Sequence, residues 1–215
     1  MIKFVYADAL DAFPVLKDTM YKDRAWQFKE RLGWDVNVDE NGHEMDEYDN
    51  KNPLYMIYEL KNGTHGGSMR LLPTTAETMV NDHFSDLTGG VNLTSPLIWE
   101  CTRFCLSPNA DTKTSAIAGA ALMLAGLEMS NRFAVENWVG VFDTRMVTIY
   151  KRLGWCPEVL GTSGTGKDSI SVGLWTVSEE AMDTIARKSG VTRASAEQWF
   201  DASFPVSDDL AEMVA

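Results

Sequence analysis

Residues Leu97-Ile-Trp-Glu-Cys-Thr-Arg-Phe-Cys-Leu106 make an apolar run with two opposite charges, Glu100 and Arg103, set into its middle. Ile, Trp, Phe and Leu at this density belong to the core of a sheet. Charges are almost never fully buried there unless they are paired or in use. Glu100 and Arg103 therefore either form a structural ion pair or hold a charged substrate beside a base. Strict alternation puts Glu100, Thr102 and Phe104 on one face of the strand and Trp99, Cys101 and Arg103 on the other. The two charges then point apart unless a bulge intervenes, and bulges do re-aim side chains beside active sites.

C-terminal to this strand, Lys113 to Phe133 reads as a long helix of small residues (Ala116, Ala118, Gly119, Ala120, Ala121, Ala125, Gly126), suited to close packing on a sheet. Trp138 to Phe142 reads as a strand, Thr144 to Leu153 as a helix stopped by Gly154, and Ser169 to Val177 as a closing strand. N-terminal to it, residues 2 to 6 alternate as a strand, and Phe13 to Leu32 has helical periodicity ended by Gly33. Trp34 to Val38 is extended. Residues 39 to 53 are acidic and turn-rich and read as a solvated loop. Leu54 to Leu60 and Gly66 to Leu72 form a hairpin through Asn62-Gly63, followed by a short helix between Glu77 and Phe84. Hairpins followed by β-α-β-α-β predict an α/β fold with a mixed sheet covered by helices. Residues 1–177 read as one domain. Residues 178–215 read as a helical appendage of it, helical at 179 to 188 and 195 to 200.

The chain has 215 residues and a net charge of −12, which disfavours nucleic acid and favours a cationic ligand. No apolar run reaches the roughly 18 residues of a membrane span. The N-terminus is strand-like and soon acidic rather than a signal peptide. Cys101, Cys105 and Cys156 make no disulfide framework, so the expected compartment is the cytoplasm.

Three constellations carry possible chemistry. Arg24 and Phe28 share a helix face and Trp34 follows the helix end, so a guanidinium beside two rings could hold a carboxylate while the rings stack an adenine or a sulfonium. The bland alternative is two core aromatics and a surface arginine. Glu44, Asp46 and Asp49 lie in a loop that lacks the length and the glycine of a Ca²⁺ loop, so no metal is expected. These carboxylates either grip a cation or brace Arg70, or are merely solvated. The third is Glu100 with Arg103. Two other motifs are set aside. Gly161-Thr-Ser-Gly-Thr-Gly166-Lys167 approaches a phosphate loop but ends in Asp168 and leads into a strand rather than a helix. Cys101 and Cys105 lack the partners of a zinc site.

Taken together, Arg24-x-x-x-Phe28, Arg31-Leu-Gly-Trp34, Glu44-x-Asp46-x-x-Asp49, Arg70-Leu-Leu-Pro-Thr-Thr75, Phe84 and Trp99-Glu-Cys-Thr-Arg-Phe104 resemble the acyl-homoserine-lactone synthases, the LuxI-type autoinducer synthases of quorum sensing. The pieces cover about the first half of the chain in the family's order. The resemblance implies a three-layer α/β/α sandwich with a mixed central sheet, similar to the GCN5-related N-acetyltransferase fold. It implies acylation of the amine of S-adenosylmethionine from acyl carrier protein, then lactone closure with release of 5′-methylthioadenosine. S-adenosylmethionine is then a substrate, and no cofactor or metal is implied.

By the same analogy Glu100 is the base, with Glu44 or Asp46 to share the task and Arg103 to order the carboxylates. Arg24, Phe28, Trp34, Asp46, Asp49 and Arg70 form the S-adenosylmethionine site. Phe84, Thr102, Phe104, Met123 and Phe142 are candidates for the acyl pocket, beside which ordinary core packing stands as the alternative for each. Arg132, Arg145, Lys151 and Arg152 are the candidate docking patch for the acidic carrier protein. The stretch Ser107 to Thr114 lacks the Gly-rich pyrophosphate loop of acetyl-CoA users, which favours a carrier-protein arm over acyl-CoA. The rival readings are an ordinary N-acyltransferase of this fold using acyl-CoA, and a non-catalytic acyl-binding sensor.

Overall fold

Seven strands, β1 (Ile2–Tyr6), β2 (Leu54–Glu59), β3 (His65–Pro73), β4 (Ile98–Leu106), β5 (Asn137–Asp143), β6 (Glu158–Ser163) and β7 (Ile170–Thr176), make one sheet in the order β1-β2-β3-β4-β5-β7-β6. The computed structural model describes residues 1–166 and 169–205. Every neighbouring pair is antiparallel except β4 and β5. That parallel ladder covers only Ile98 to Glu100 against Asn137 to Val139. Beyond Glu100 no pairing joins the two strands, so the sheet opens at its centre where the charges of β4 begin.

Helix α1 (Pro14–Ala25) and the short α2 (Met79–His83) lie on one face. Helices α3 (Thr112–Arg132), α4 (Val147–Leu153), α5 (Glu179–Ser189) and α6 (Arg193–Ser203) lie on the other. The three-layer α/β/α sandwich expected from the sequence is the observed fold. The small residues of α3 let it lie directly on the sheet: a Cβ on Gly126 would fall 2.1 Å from the Trp138 ring. The indole of Trp138 in turn donates to Ser130 Oγ at 2.8 Å. Met182 and Ile185 of α5 and Ala196 and Phe200 of α6 are buried in the same core as α3 and β1. Residues 206 to 215, the rest of the predicted appendage, lie outside the described residues, as do Lys167 and Asp168 at the end of the Gly-rich run.

Three local expectations are corrected. Trp34 to Val38 contributes only an isolated bridge, Val38 to Glu44, and no strand of the sheet. The region 158–163, whose Gly161 and Ser163 belong to that Gly-rich run, is instead the edge strand β6. The acidic run at 39–53 is a solvated loop only in part: Asp39, Glu40 and Glu47 are exposed, but Glu44 is 0% exposed and Asp49 4%. The carboxylates of Glu44, Asp46 and Asp49 face arginines that the chain brings from 20 or more residues away.

Candidate active site

The last turn of α1 is a π turn, Trp26–Arg31, in which Leu32 N–H reaches back to the Gln27 carbonyl. Such widened turns are rare and concentrate at functional sites. Here it turns Phe28 inward, while Gly33, at φ +69, swings Trp34 back over it. The two rings stack at 5.1 Å and 19°, with Phe28 buried and Trp34 exposed. The acidic segment is fixed by a reciprocal cap: Asp46 accepts from Tyr48 N–H, and Asp49 accepts from Asp46 N–H at 2.8 Å.

On β4 a bulge does intervene. The β3–β4 register slips between Ser68 and Arg70, and Arg103 takes the left-handed φ of +53. The slip brings Arg103 to the face of Glu100 and Thr102 and sends Phe104 to the α3 face, so strict alternation fails there. Glu100 and Arg103 still do not pair. Arg103 binds Glu44 at 3.0 Å and Asp46 at 2.7 Å.

Three arginines and three carboxylates then close a ring. Arg24 bonds Glu44 at 2.7 Å and Asp49 at 2.9 Å. Arg70 bonds Asp49 at 2.9 Å and forks onto Asp46. Arg103 completes the circuit between Asp46 and Glu44. Charges alternate around it and sum to zero. Desolvating so many charges is tolerable only when each meets its opposite in good geometry. Burial works against the ionised forms of Asp49 and Asp46, yet Arg24 and Arg70 outweigh it for Asp49, and Arg70 and Arg103 for Asp46, holding both carboxyls below their usual range. Arg24 is therefore neither a surface residue nor free to hold a ligand carboxylate. It is 1% exposed and fully engaged with the ring.

The ring opens onto a cavity of about 170 Å³ lined by Asp35, Val36, Asn37, Glu44, Asp46, Glu47, Tyr48, Met79, His83 and Arg103. Of the predicted substrate residues Asp46 lines it, together with Glu44 and Arg103 of the predicted catalytic set. Arg24, Asp49 and Arg70 stand behind as support. Phe28 and Trp34 join through Arg103, whose guanidinium lies 5.3 Å over the Phe28 ring. Glu100 lies one residue deeper. Its carboxyl accepts from Met79 N–H at 3.1 Å and Val80 N–H at 2.6 Å, where α2 begins. Burial pushes it up to about 7, against the pull of those two amides. A larger hollow of about 390 Å³, between Gly154 and Glu180, contains none of these groups.

Sequence reasoning missed Tyr48, Met79 and His83. Tyr48 sits inside the acidic motif itself, its hydroxyl donating to Asp82 at 2.9 Å and its ring under Arg70. Met79 and His83 are four apart on α2 and so share a face. That spacing was the available signal.

The acyl-pocket candidates do not share one wall. Phe104, Met123 and Phe142 lie on the α3 face, while Phe84 packs with Val80, Val139 and Val172 on the α2 face, and Thr102 accepts from Arg70 Nε at 3.0 Å. Nor do the docking candidates form one patch. Lys151 and Arg152 are exposed together on α4. Arg145 bonds Asp143, and Arg132 bonds Glu128 and Asp201. Arg132 precedes β5 and Arg145 follows it, so the length of that strand, roughly 20 Å, separates them.

Residues 12–185 match the autoinducer synthase family. The chain is 38% identical to an acyl-homoserine-lactone synthase of Rhizobium etli over 86% of this chain and 88% of that one. It is 31% identical to one of Agrobacterium fabrum over 78% and 82%. Among solved structures it resembles the acyl-homoserine-lactone synthase LasI, with a TM-score of 0.76 and 25% identity over 86% and 93% of the two chains. It also shares the fold of BjaI, described as CoA-dependent and solved with S-adenosylmethionine and isopentyl-CoA, with a TM-score of 0.78 and 20% identity over 92% and 99%. This chain therefore belongs to the autoinducer synthase family and is an acyltransferase of the acyl-homoserine-lactone synthase type.

Proposed function

We propose that the chain transfers an acyl group from acyl carrier protein to the amine of S-adenosylmethionine and then closes the lactone, releasing 5′-methylthioadenosine. The observation that carries this reading is a charge ring, itself neutral, that opens two carboxylates onto a cavity beside an aromatic stack. Glu44 and Asp46 suit the sulfonium and ammonium groups of the substrate. Phe28 and Trp34 suit its adenine. Arg103, at the mouth of the ring, suits its carboxylate.

The amine must lose its proton to attack the thioester. Glu100, near pKa 7 and one residue behind Met79, takes it through one water. A backbone N–H of β4 beyond Glu100, where the ladder to β5 has ended, stabilises the tetrahedral oxyanion. The nitrogen–acyl bond forms, the thiolate leaves, and the carrier arm departs through the opening between β4 and β5. The substrate carboxylate then attacks its own γ-carbon and the sulfonium sulfur leaves with the bonding pair. Both groups sit in one molecule, so this step needs mainly orientation.

The donor reading is supported at the start of α3. Asp111 caps that helix, its carboxylate accepting from Thr114 N–H at 2.7 Å. An anionic side chain there competes with the pyrophosphate of CoA for the same N–H groups. Lys151 and Arg152 remain the docking pair for an acidic carrier protein. The second reading, acyl-CoA, is favoured by the relatives described as CoA-dependent. Mass spectrometry of the protein with S-adenosylmethionine and either acyl carrier proteins or acyl-CoAs decides. An acyl-homoserine lactone with 5′-methylthioadenosine supports the synthase reading and identifies the donor. Neither product with either donor overturns it.

A further inference from the structure

Beside the ring, and absent from the mechanism above, lies a second buried polar chain. Asp23 Oδ2 meets His65 Nδ1 at 2.7 Å, and His65 Nε2 meets Ser68 Oγ at 2.9 Å. The three are 7%, 1% and 2% exposed. The order carboxylate–imidazole–hydroxyl is that of a nucleophilic serine site. Ser68 lines neither of the two cavities described above, however, and at 2% exposure its hydroxyl is closed off from solvent. The chain ties α1 to β3, and His65 N–H also binds Thr19 Oγ1 of α1 at 3.0 Å.

Its place relative to the ring gives it meaning. Asp23 directly precedes Arg24 on α1. Arg24 also lies near enough to His65 to oppose its protonation, after burial, which is the larger cause of its lowered pKa. An imidazole that keeps its proton on Nδ1 satisfies the Asp23 carboxylate without adding charge. Without that donor, Asp23 is a buried carboxylate with no paired donor, one residue from the Arg24 guanidinium.

We propose that His65 is a positioning residue for S-adenosylmethionine: by satisfying Asp23 it leaves Arg24 wholly to Glu44 and Asp49, so that Glu44 stays aimed at the cavity. Removing His65 draws Arg24 toward Asp23, and Glu44 loses its brace. This rests on the reading that S-adenosylmethionine occupies the cavity, and calorimetric titration with S-adenosylmethionine separates the two ideas. If the wild-type protein does not bind it, the functional reading fails. If the wild type binds, His65→Leu is expected to weaken binding about tenfold, the scale of one unsatisfied buried group. The double variant Asp23→Asn/His65→Leu, which removes the unpaired charge, restores affinity to within about twofold. Asp23→Asn alone, which keeps an acceptor for His65, leaves affinity unchanged, and a tenfold loss there refutes the proposal even if His65→Leu does not fold. Unchanged affinity in folded His65→Leu, failure of the double variant to rescue, or a tenfold loss in Asp23→Asn alone overturns the proposal.

Discussion

Glu100 is a carboxyl fixed by two backbone amides and still raised to about 7, which is the condition of a base working near neutral pH. In the proposed role as base it works in its ionised form, so kcat/KM is expected to rise with pH through about 7 and level above it. Glu100→Gln removes that limb and lowers kcat by about 10²-fold or more, which a pH–rate profile reads directly. The other site residues divide by burial. Arg24→Ala leaves Glu44 and Asp49 short of a partner inside the protein. Its main effect is a loss of about 3–5 kcal/mol of stability in denaturant unfolding rather than a simple loss of substrate affinity. Trp34→Ala, at an exposed position, keeps the melting temperature and raises the KM for S-adenosylmethionine about tenfold, the worth of one aromatic stack. The identities of these residues were legible in the sequence. Their division of labour was not, because Arg24 bonds residues 20 and 25 positions away and periodicity carries no information on such partners.

At the scale of elements, the fold was readable wherever one face is apolar. Among the described residues β1 to β5, β7 and the six helices named above were readable from apolar spacing or, for β3 and α3, from continuous apolar and small-residue runs. β6 escaped because an edge strand with Val159 and Leu160 exposed and Gly161 in its middle has a loop's composition. Gly161 is there for space: a Cβ would fall 1.9 Å from the Leu87 carbonyl oxygen. The segment Trp34 to Val38 looked extended because Trp34, Val36 and Val38 alternate with polar residues, yet it has no neighbour to ladder with beyond one bridge. The small-residue face of α3 makes its own prediction. Gly126→Ala forces the helix off Trp138, costs about 1–3 kcal/mol by overpacking, and lowers the midpoint of urea unfolding. A larger cost at Gly126 than at Gly119, whose Cβ would sit 3.8 Å from Phe104, separates packing from helix propensity. Equal effects at the two sites would exclude the packing account.

Across the whole molecule, the C-terminal helices decide whether residues 1–177 stand alone. The sequence sets 178 onward apart by its polar composition, because α5 and α6 each offer only a narrow apolar stripe. Yet Met182 is 0% exposed, Ile185 1% and Phe200 6%, all within the core that contains α3 and β1. Phe200 also meets the rings of Phe4, Phe133 and Phe204. The Phe4 N–H of β1, an edge strand, donates to Ser203 Oγ at 3.1 Å. A chain ending at Val177 would expose the outer side of a helix that is apolar almost all round. Burial of one large aliphatic or aromatic side chain contributes about 1.5–3 kcal/mol, and three are lost at once. That approaches the full stability of an ordinary domain. Truncation after Val177 is therefore expected to give protein without a cooperative thermal transition, although every ring and cavity residue is still present. A truncated chain that melts cooperatively near the wild-type temperature would show instead that the sheet and α3 hold the site without them.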